Sequence, residues 1–600
     1  MRAPRKPLHA SSAAVPSLPA SRLYHAYVFD GCPEASAFWG EVPRHTAEAV
    51  AFSQPLIEKF RKGQARLFAT ERAALLCQAI ADVHRKHEML TDRVKENLET
   101  LVQDLAVVEA GHQPAVLGGP GFIINKLAAI SVLAGSHGMI PLMFVGDHDQ
   151  EQSELTVLHL PSPGPSGITF SLPVPSSFRL SPLHTLPLPP PAWLNEVTGK
   201  IEATYHELVA GQPREQRTVY SQRTELVLQL LRETYAQAAG LADWTMRLWM
   251  KLVNINHDAG ILFQPFSHPI IRRPTLPAFE YLLTPSIRRR FIAALNQAAE
   301  HLRNAGYEPG IGTRPDSYVP FHLECPTAGC NRTRLEPTLE EPPERSTLTL
   351  KATCPKCKSM HTLEVAAAHA DLSSWAEYLS PRVDTRSFLV QTYTPVVLHV
   401  GGNGEASYYA QVSPAMTAID AVAPVFFKYT RLFYGNPWTR ALAAKLEKEK
   451  YPILEPSKLW TFRAAVNTSY REENAGVARA LFGACGEYIE TTAQKLTKME
   501  AQLERRRAKA IAAQRQDVES THRRQLQAET HRLTELRQAL QTYESQMFGR
   551  YAPERFGQEV SFAWIDMAQS LNPNRLFDRL RSHYHALTPS AATFHLADEV

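Results

Sequence analysis

A membrane span is the first thing this sequence lacks. An apolar segment free of Asp, Glu, Lys and Arg covers residues 127–146, but Gly135, Ser136, His137, Gly138 and Pro141 interrupt it, so it reads as helix, turn and strand and not as a bilayer crossing. Residues 1–20 are rich in Pro, Ala and Ser and have no apolar run of the kind a secretion signal needs. They are expected to form a flexible leader. Cysteine is scarce, with 7 in 600 residues; four fall in two close pairs, while Cys32, Cys77 and Cys485 stand alone. That excludes a disulfide framework and points to a metal site in a reducing compartment, the cytoplasm. Charge imbalance is missing too: 64 basic against 60 acidic residues leave +4, so nucleic-acid binding would need a local basic patch. Proline is absent between Pro456 and Pro553, which leaves room for long helices.

What is present is ordinary globular text, 44% hydrophobic and 21% charged, in a chain too long for one compact core. Residues 69–105 mix charged and apolar positions at three- and four-residue spacing, with Leu75, Leu76, Ile80 and Val83 on one stripe, and predict a helix. Residues 106–110 (AVVEA) predict a short strand, 111–121 a loop punctuated by Gly and Pro, 122–135 an apolar helix, and 139–145 (MIPLMFV) a buried strand. This β-loop-α-β order is that of a parallel α/β sheet. A Pro-rich connector, 161–191, is expected to skirt the surface in extended form. Helices are predicted over 218–253 and 284–305, with strands over 257–263 and 394–400.

The resulting division is a leader (1–20), a core with a helical insertion and the Pro-rich connector (21–320), a cysteine-bearing insertion (321–365), the remainder of the core (366–486), a helical coil (487–548) and a C-terminal segment packing on the core (549–600). In the coil, Leu496, Met499 and Leu503 and then Leu533, Leu536, Leu540 and Tyr543 keep a three/four spacing, with Arg505, Arg506 and Arg507 between them. An antiparallel hairpin within one chain and a coil that makes a homodimer both fit.

Cys325 and Cys330, four residues between them, and Cys354 and Cys357, two between them, are two thiolate pairs in short turns. Four thiolates form the closed tetrahedral shell of structural zinc. His322 and His361 read as surface histidines or spare ligands. Arg332, Arg334, Lys351, Lys356 and Lys358 surround the cysteines, but Glu336, Glu340, Glu341 and Glu344 offset them. A rigid zinc clip is therefore favoured over a nucleic-acid reader.

A loop leaving a parallel strand brings backbone N–H groups and a helix N-terminus to the edge where anions bind. Gly111, Gly118, Gly119 and Gly121 would let the backbone approach such a ligand. His112, Gln113, Asn125 and Lys126 belong to the same loop and helix start. Asp147, His148 and Asp149, just past the next strand, bring two carboxylates and an imidazole to the same edge.

The stretch GHQPAVLGGPGFIINK (111–126), followed after one strand by Asp147-His148-Asp149, resembles the paired signature of the bacillithiol-biosynthesis cysteine-adding family. GGNGEASYYAQV (401–412) resembles that family's later G-G-x-x-E-x-x-Y segment, with Gly401, Gly402, Glu405 and Tyr408 in the matching places. Phe29-Asp30, the segment leading to Gly260, the late coil and Asp578-Arg579-Leu580 also fall where the family has counterparts. Gly146 and Gln152 stand where the family has acidic residues, Asn403 and Ala406 replace Pro and Ile, and the cysteine insertion is extra. The resemblance is thus to a divergent member.

It implies a Rossmann-like core like that of class I aminoacyl-tRNA synthetases, a dimerising coil, and a ligase joining cysteine to the amine of an acceptor such as glucosaminyl-malate, with ATP as the activating reagent. His112, Asp147, His148 and Asp149 would be catalytic; Gly111, Gln113, Gly118, Gly119, Asn125, Lys126, Gly401, Gly402, Glu405 and Tyr408 would bind substrate or nucleotide. The rival reading is a zinc-ribbon and coiled-coil protein that binds nucleic acid or protein on a non-catalytic scaffold.

Overall fold

The computed structural model describes residues 18–31, 33–135, 137–340, 346–448, 475–511, 517–548 and 557–596. Residues 1–17 of the expected leader, Cys32, Glu341 and Glu344 lie outside them. At the centre is a parallel sheet of β1 (Val107–His112), β2 (Ile140–Val145), β3 (Leu262–Pro265), β4 (Val396–Gly401) and β5 (Val425–Lys428), in the order β5-β4-β1-β2-β3. Its strands are buried almost throughout, as a sheet covered on both faces requires. Alternation along the strands sorts the two layers. Val108, Ala110, Met143 and Val145 pack with the apolar helix α1 (Phe122–Gly135), whereas Val107, Leu142 and Phe144 pack with Leu76, Ile80, Val94 and Leu98 of helices Thr70–Lys86 and Asp92–Asp104.

The chain leaves β1 through α1 to reach β2 on one side, while β4, which leads into α2 (Asn403–Ala418), pairs with β1 on the other. The crevice beyond the C-terminal ends of β1 and β4 is therefore the topological switch point, where open α/β sheets bind ligands.

Long excursions join the remaining strands. Between β2 and β3 lie a small antiparallel hairpin (Val157–Leu160 with Ile168–Ser171) and three helices, Pro191–Leu208, Arg214–Ala236 and Leu241–Met250. Between β3 and β4 lie two helices, Pro269–Leu283 and Pro285–Asn304, and then the cysteine-bearing unit. There, Phe321–Glu324 pairs with both Arg334–Leu335 and Leu379–Pro381, while Thr347–Thr353 pairs with Thr338–Glu340 and Met360–Ala366.

After β5, helices α3 (Ala475–Ile511) and α4 (Asp517–Phe548) form an antiparallel hairpin within one chain: Phe482 meets Phe548 at 5.8 Å between rings, and Arg537 pairs with Glu490 at 2.6 Å. The last segment returns to the core. Trp564 Nε1 donates to the Leu117 carbonyl at 2.8 Å, and Thr593–Leu596 pairs with Arg431–Tyr434.

Several expected elements are shifted. The helix predicted over 69–105 is two, broken at 87–91, where Glu88 takes φ +59° and Thr91 caps the second helix by accepting from Val94 N. The 218–253 helix breaks at 237–240. The strand expected at 257–263 is Leu262–Pro265. Gly111 and His112 belong to β1 and not to the loop after it. The connector is not wholly superficial, because Leu183 N donates to Asp149 O at 2.8 Å and Arg334 N donates to Leu180 O at 2.8 Å. No helix among the described residues is long and apolar enough to cross a membrane.

Candidate active site

A cavity of about 580 Å³ opens at the switch point. β1 brings Gly111 and His112 to it, α1 brings Phe122 and Lys126, the β2 tip brings Gly146, His148 and Asp149, and the start of α2 brings Gly402, Asn403, Glu405 and Tyr408. The glycine turn and the acidic tip of the next strand therefore share one wall. Arg334, Arg382, Arg386 and Arg431 also line the cavity. With Lys126 they make five cations, against the lining carboxylates Asp149, Glu154 and Glu405, so the cavity suits an anionic ligand.

At the β1–β4 end, Lys126 donates to the Gly111 carbonyl at 3.2 Å and pairs with Glu405. Glu405 also accepts from Gly402 N at 2.7 Å and faces His399 Nε2 at 3.4 Å. The other His399 nitrogen lies 2.7 Å from Glu109, which binds Arg386 at 2.9 Å. A buried chain of polar contacts, from Lys126 through Glu405, His399 and Glu109 to Arg386, thus runs under the floor. Burial alone would raise the Glu405 carboxyl, but Lys126 and His399 hold it well below the usual carboxylate range. A Cβ at Gly111 would meet the Arg386 guanidinium at 3.5 Å, an ordinary contact.

His112 Nδ1 lies 2.7 Å from the Gln113 carbonyl. A carbonyl accepts and cannot donate, so Nδ1 carries the proton and Nε2 is the acceptor. Burial, helped by Lys126, lowers this imidazole to about 4, which keeps it neutral near pH 7. His148 packs on Phe266 (4.7 Å between rings), and burial lowers it to about 3.

Asp149 accepts from Gln113 Nε2 at 2.9 Å and pairs with Arg334. Burial would raise its carboxyl; Arg334 and His148 bring it below the ordinary value.

Other expected site residues are elsewhere. Asp147 does not line the cavity: its carboxylate accepts from Ser267 N at 2.9 Å and from Ser267 Oγ, pinning the β2 tip to the turn after β3, and burial raises it. Gly118 and Gly119, at φ +84° and +81°, present their open sides to Leu248 and Trp564 and to Ile123. They sit in a packed turn and are not among the residues lining the cavity. Asn125 is fully buried, bonded to Thr430 O, Glu559 and Tyr584 Oη, and ties α1 to the C-terminal segment. Gly401 lies under the Phe426 ring. His322, expected at the surface, is partly buried and lines the cavity.

The four cysteines converge, with all Sγ atoms within 4.8 Å of one another. Cys325 and Cys357 are 3.8 Å apart, and Cys330 and Cys354 4.0 Å. A tetrahedron with metal–sulfur bonds of about 2.3 Å has edges of about 3.8 Å, so the cluster is able to bind a metal ion. His361 Nε2 stands 3.5 Å from Cys325 Sγ.

Sheet order, helix-covered faces and a cleft at the switch point define a Rossmann-like α/β protein. The profile of the bacillithiol biosynthesis BshC N-terminal Rossmann-like domain matches residues 192–428. Over that stretch the chain is similar to the BshC family. It is 23% identical over 380 residues to a Desulforamulus reducens protein named "Putative cysteine ligase BshC", which covers 59% of this chain and 60% of that protein. Proteins of the same name from Carboxydothermus hydrogenoformans and Lysinibacillus sphaericus are 23% and 21% identical, each over 56% of this chain and 57% of the relative. The matches thus span less than two thirds of the relatives' own length.

Proposed function

We propose that the chain is a ligase that joins the carboxyl of cysteine, or of another amino acid, to the amine of a small anionic acceptor such as glucosaminyl-malate, in the making of a low-molecular-weight thiol. The observation that carries this reading is the composition of the cleft, which combines a surplus of cations for the acceptor's carboxylates with a neutral imidazole, His112, and the carboxylates Asp149 and Glu405 that suit an ammonium group. The names of the relatives support the same reading.

Forming an amide from a free carboxylate and an amine, with loss of water, is uphill in water, so the carboxyl needs activation. ATP is the reagent proposed, giving an acyl-adenylate and pyrophosphate, and the amine then displaces AMP from the acyl carbon as the amide forms. The N-termini of α1 and α2, with Lys126, are the groups suited to its phosphates. His112 Nε2, as a hydrogen-bond acceptor, would take the proton the amine loses as the new bond forms. Asp147 has no part in this chemistry and acts as a structural pin.

The four-cysteine cluster is proposed to hold zinc as a structural ion, because a closed shell of four thiolates leaves no position for substrate. The rival reading, nucleic-acid binding by this unit, is weakened by its own contacts. Arg332 bonds Glu324, Lys351 bonds Glu340, and Lys356 bonds Ser177 O, so these basic groups are engaged inside the chain, while Arg334 faces the cleft. A homodimer through the distal half of the α3–α4 hairpin belongs to the same proposal.

The test is incubation with cysteine, ATP and glucosaminyl-malate, followed by mass spectrometry. A product with the mass of cysteine plus acceptor less one water is expected. Its absence with this acceptor and with other amino-sugar acids overturns the ligase reading.

A further inference from the structure

Strand Arg334–Leu335 pairs with Phe321–Glu324 so that Arg334 lies opposite Glu324. Residues opposite each other project to the same face, and so do residues two apart on one strand. His322, Glu324 and Arg334 therefore share a face, and it is the face toward the cleft, because His322 and Arg334 line the cavity. The turn between these strands carries Cys325 and Cys330. It is closed by three bonds, from Cys325 N to Thr333 O at 2.8 Å, from Thr333 N to Cys330 O at 3.1 Å and from Thr333 Oγ1 to Cys330 O at 2.7 Å. Thr333, which takes part in all three bonds, directly precedes Arg334.

The Arg334 side chain is 9% exposed. One terminal nitrogen pairs with Asp149 and the other donates to Pro381 O at 3.3 Å, while Nε finds no hydrogen-bond partner among the described residues. Arg382, its neighbour on the wall, has Glu336 at 3.8 Å as its ion-pair partner, and that glutamate is 75% exposed. Two guanidiniums thus face this end of the cleft, with Asp149 as the carboxylate between the β2 tip and the unit. His148 and His322, both with a buried Nδ1 lacking a partner among the described residues, add hydrogen-bonding capacity there.

We propose that the four-cysteine unit is a working wall of the cleft: metal bound by its thiolates holds Arg334 in place, and Arg334 with Arg382 binds a carboxylate or phosphate group of the ligand. This rests on the reading of the cleft as the site of an anionic small molecule. The unit then does more than clip strands together. It sets which anions the site accepts, through a residue that lies outside both glycine motifs.

The experiment measures metal content by elemental analysis and the affinity of the full chain for inorganic phosphate and, separately, for L-malate by calorimetry. Whichever arm binds names the anion. Arg334→Gln is expected to keep the metal content of the unaltered protein and to bind at least tenfold more weakly, with Arg334→Lys recovering part of the loss. Cys354→Ser is expected to lose the metal and weaken binding by a similar factor, and the double variant to be no weaker than either single one, since both act through the same contact. If Cys354→Ser does not fold, chelation of the unaltered protein supplies the metal-free measurement. Binding by Arg334→Gln equal to that of the unaltered protein, or unchanged binding after the metal is lost, overturns the proposal and leaves the cleft reading standing. If the unaltered protein binds neither anion, both fall.

Discussion

Lys126, in the second turn of α1, and Glu405, in the first turn of α2, form an ion pair across the β1–β4 switch point, with side chains 3% and 15% exposed. Each helix start is thereby tied to the other on opposite sides of β1. Removing one partner strands a buried charge, so Lys126→Met should cost about 3–5 kcal/mol in denaturant unfolding. The double variant Lys126→Met with Glu405→Gln should lose less than the sum of the single losses. Because the folded Glu405 carboxyl lies below its unfolded value, its contribution is present near neutrality and fades as pH falls through the acid range. Additive losses would mean that the two residues do not act as a pair.

Gly118 makes a sharp contrast with Gly111. A Cβ at Gly118 would lie 2.3 Å from Leu248 and 2.8 Å from Trp564 Nε1, at φ +84°. Gly118→Ala should therefore destabilise by roughly 2–5 kcal/mol from strain and overpacking together. If the variant unfolds like the unaltered protein but binds ligand poorly, Gly118 is a ligand-approach glycine after all.

These two glycines show where the sequence is legible. The β1-α1-β2 unit could be read because its signals are local: an apolar run, Gly and Pro punctuation, and a second apolar run. The helix over 122–135 falls where it was expected. Whether a glycine's open side meets a ligand or Trp564 depends on a segment more than 440 residues further on, and no local pattern carries that. Likewise Arg334, Arg382 and Arg386 reach the cleft from within the second excursion and match no motif; the closely spaced pair Arg382 and Arg386 ahead of β4 is the one available hint. The break at 87–91 has no Gly or Pro, although Thr91 before Asp92 is a readable cap.

If His112 takes the proton from the attacking amine, His112→Asn should lower kcat/KM by 10²- to 10⁴-fold. The acid limb of the pH profile of the unaltered protein should then fall near pH 4, where this imidazole titrates, and not near 6.5. An acid limb at 6.5 that persists in the variant would assign the base to another group.

The hairpin's apolar cluster of Phe482, Cys485, Ile489, Leu536 and Leu540 lies in its proximal half. Met499, further out, is 52% exposed. Were this outer half the contact between two copies, Met499→Glu should convert a dimer into a monomer in analytical ultracentrifugation, with thermal stability of the monomer's core unchanged. A monomeric unaltered protein would end the dimer proposal.

Asp566 is 1% exposed and is bound by two phenols, Tyr205 Oη at 3.1 Å and Tyr434 Oη at 2.8 Å. Burial raises its carboxyl to about 7, the two hydrogen bonds offsetting only part of the shift. Between about pH 4 and pH 7 the folded chain therefore holds a proton at this site that the unfolded chain has released. Stability must fall as pH rises across that window, by up to about 1.4 kcal/mol per pH unit and about 4 kcal/mol in all, and then level off. Asp566→Asn, which cannot ionise, should remove this slope and make the protein more stable than the unaltered chain at pH 8 while changing little at pH 4. Unfolding curves that keep the same pH slope in the variant would show that Asp566 is already ionised in the fold and that the two tyrosines suffice to hold its charge.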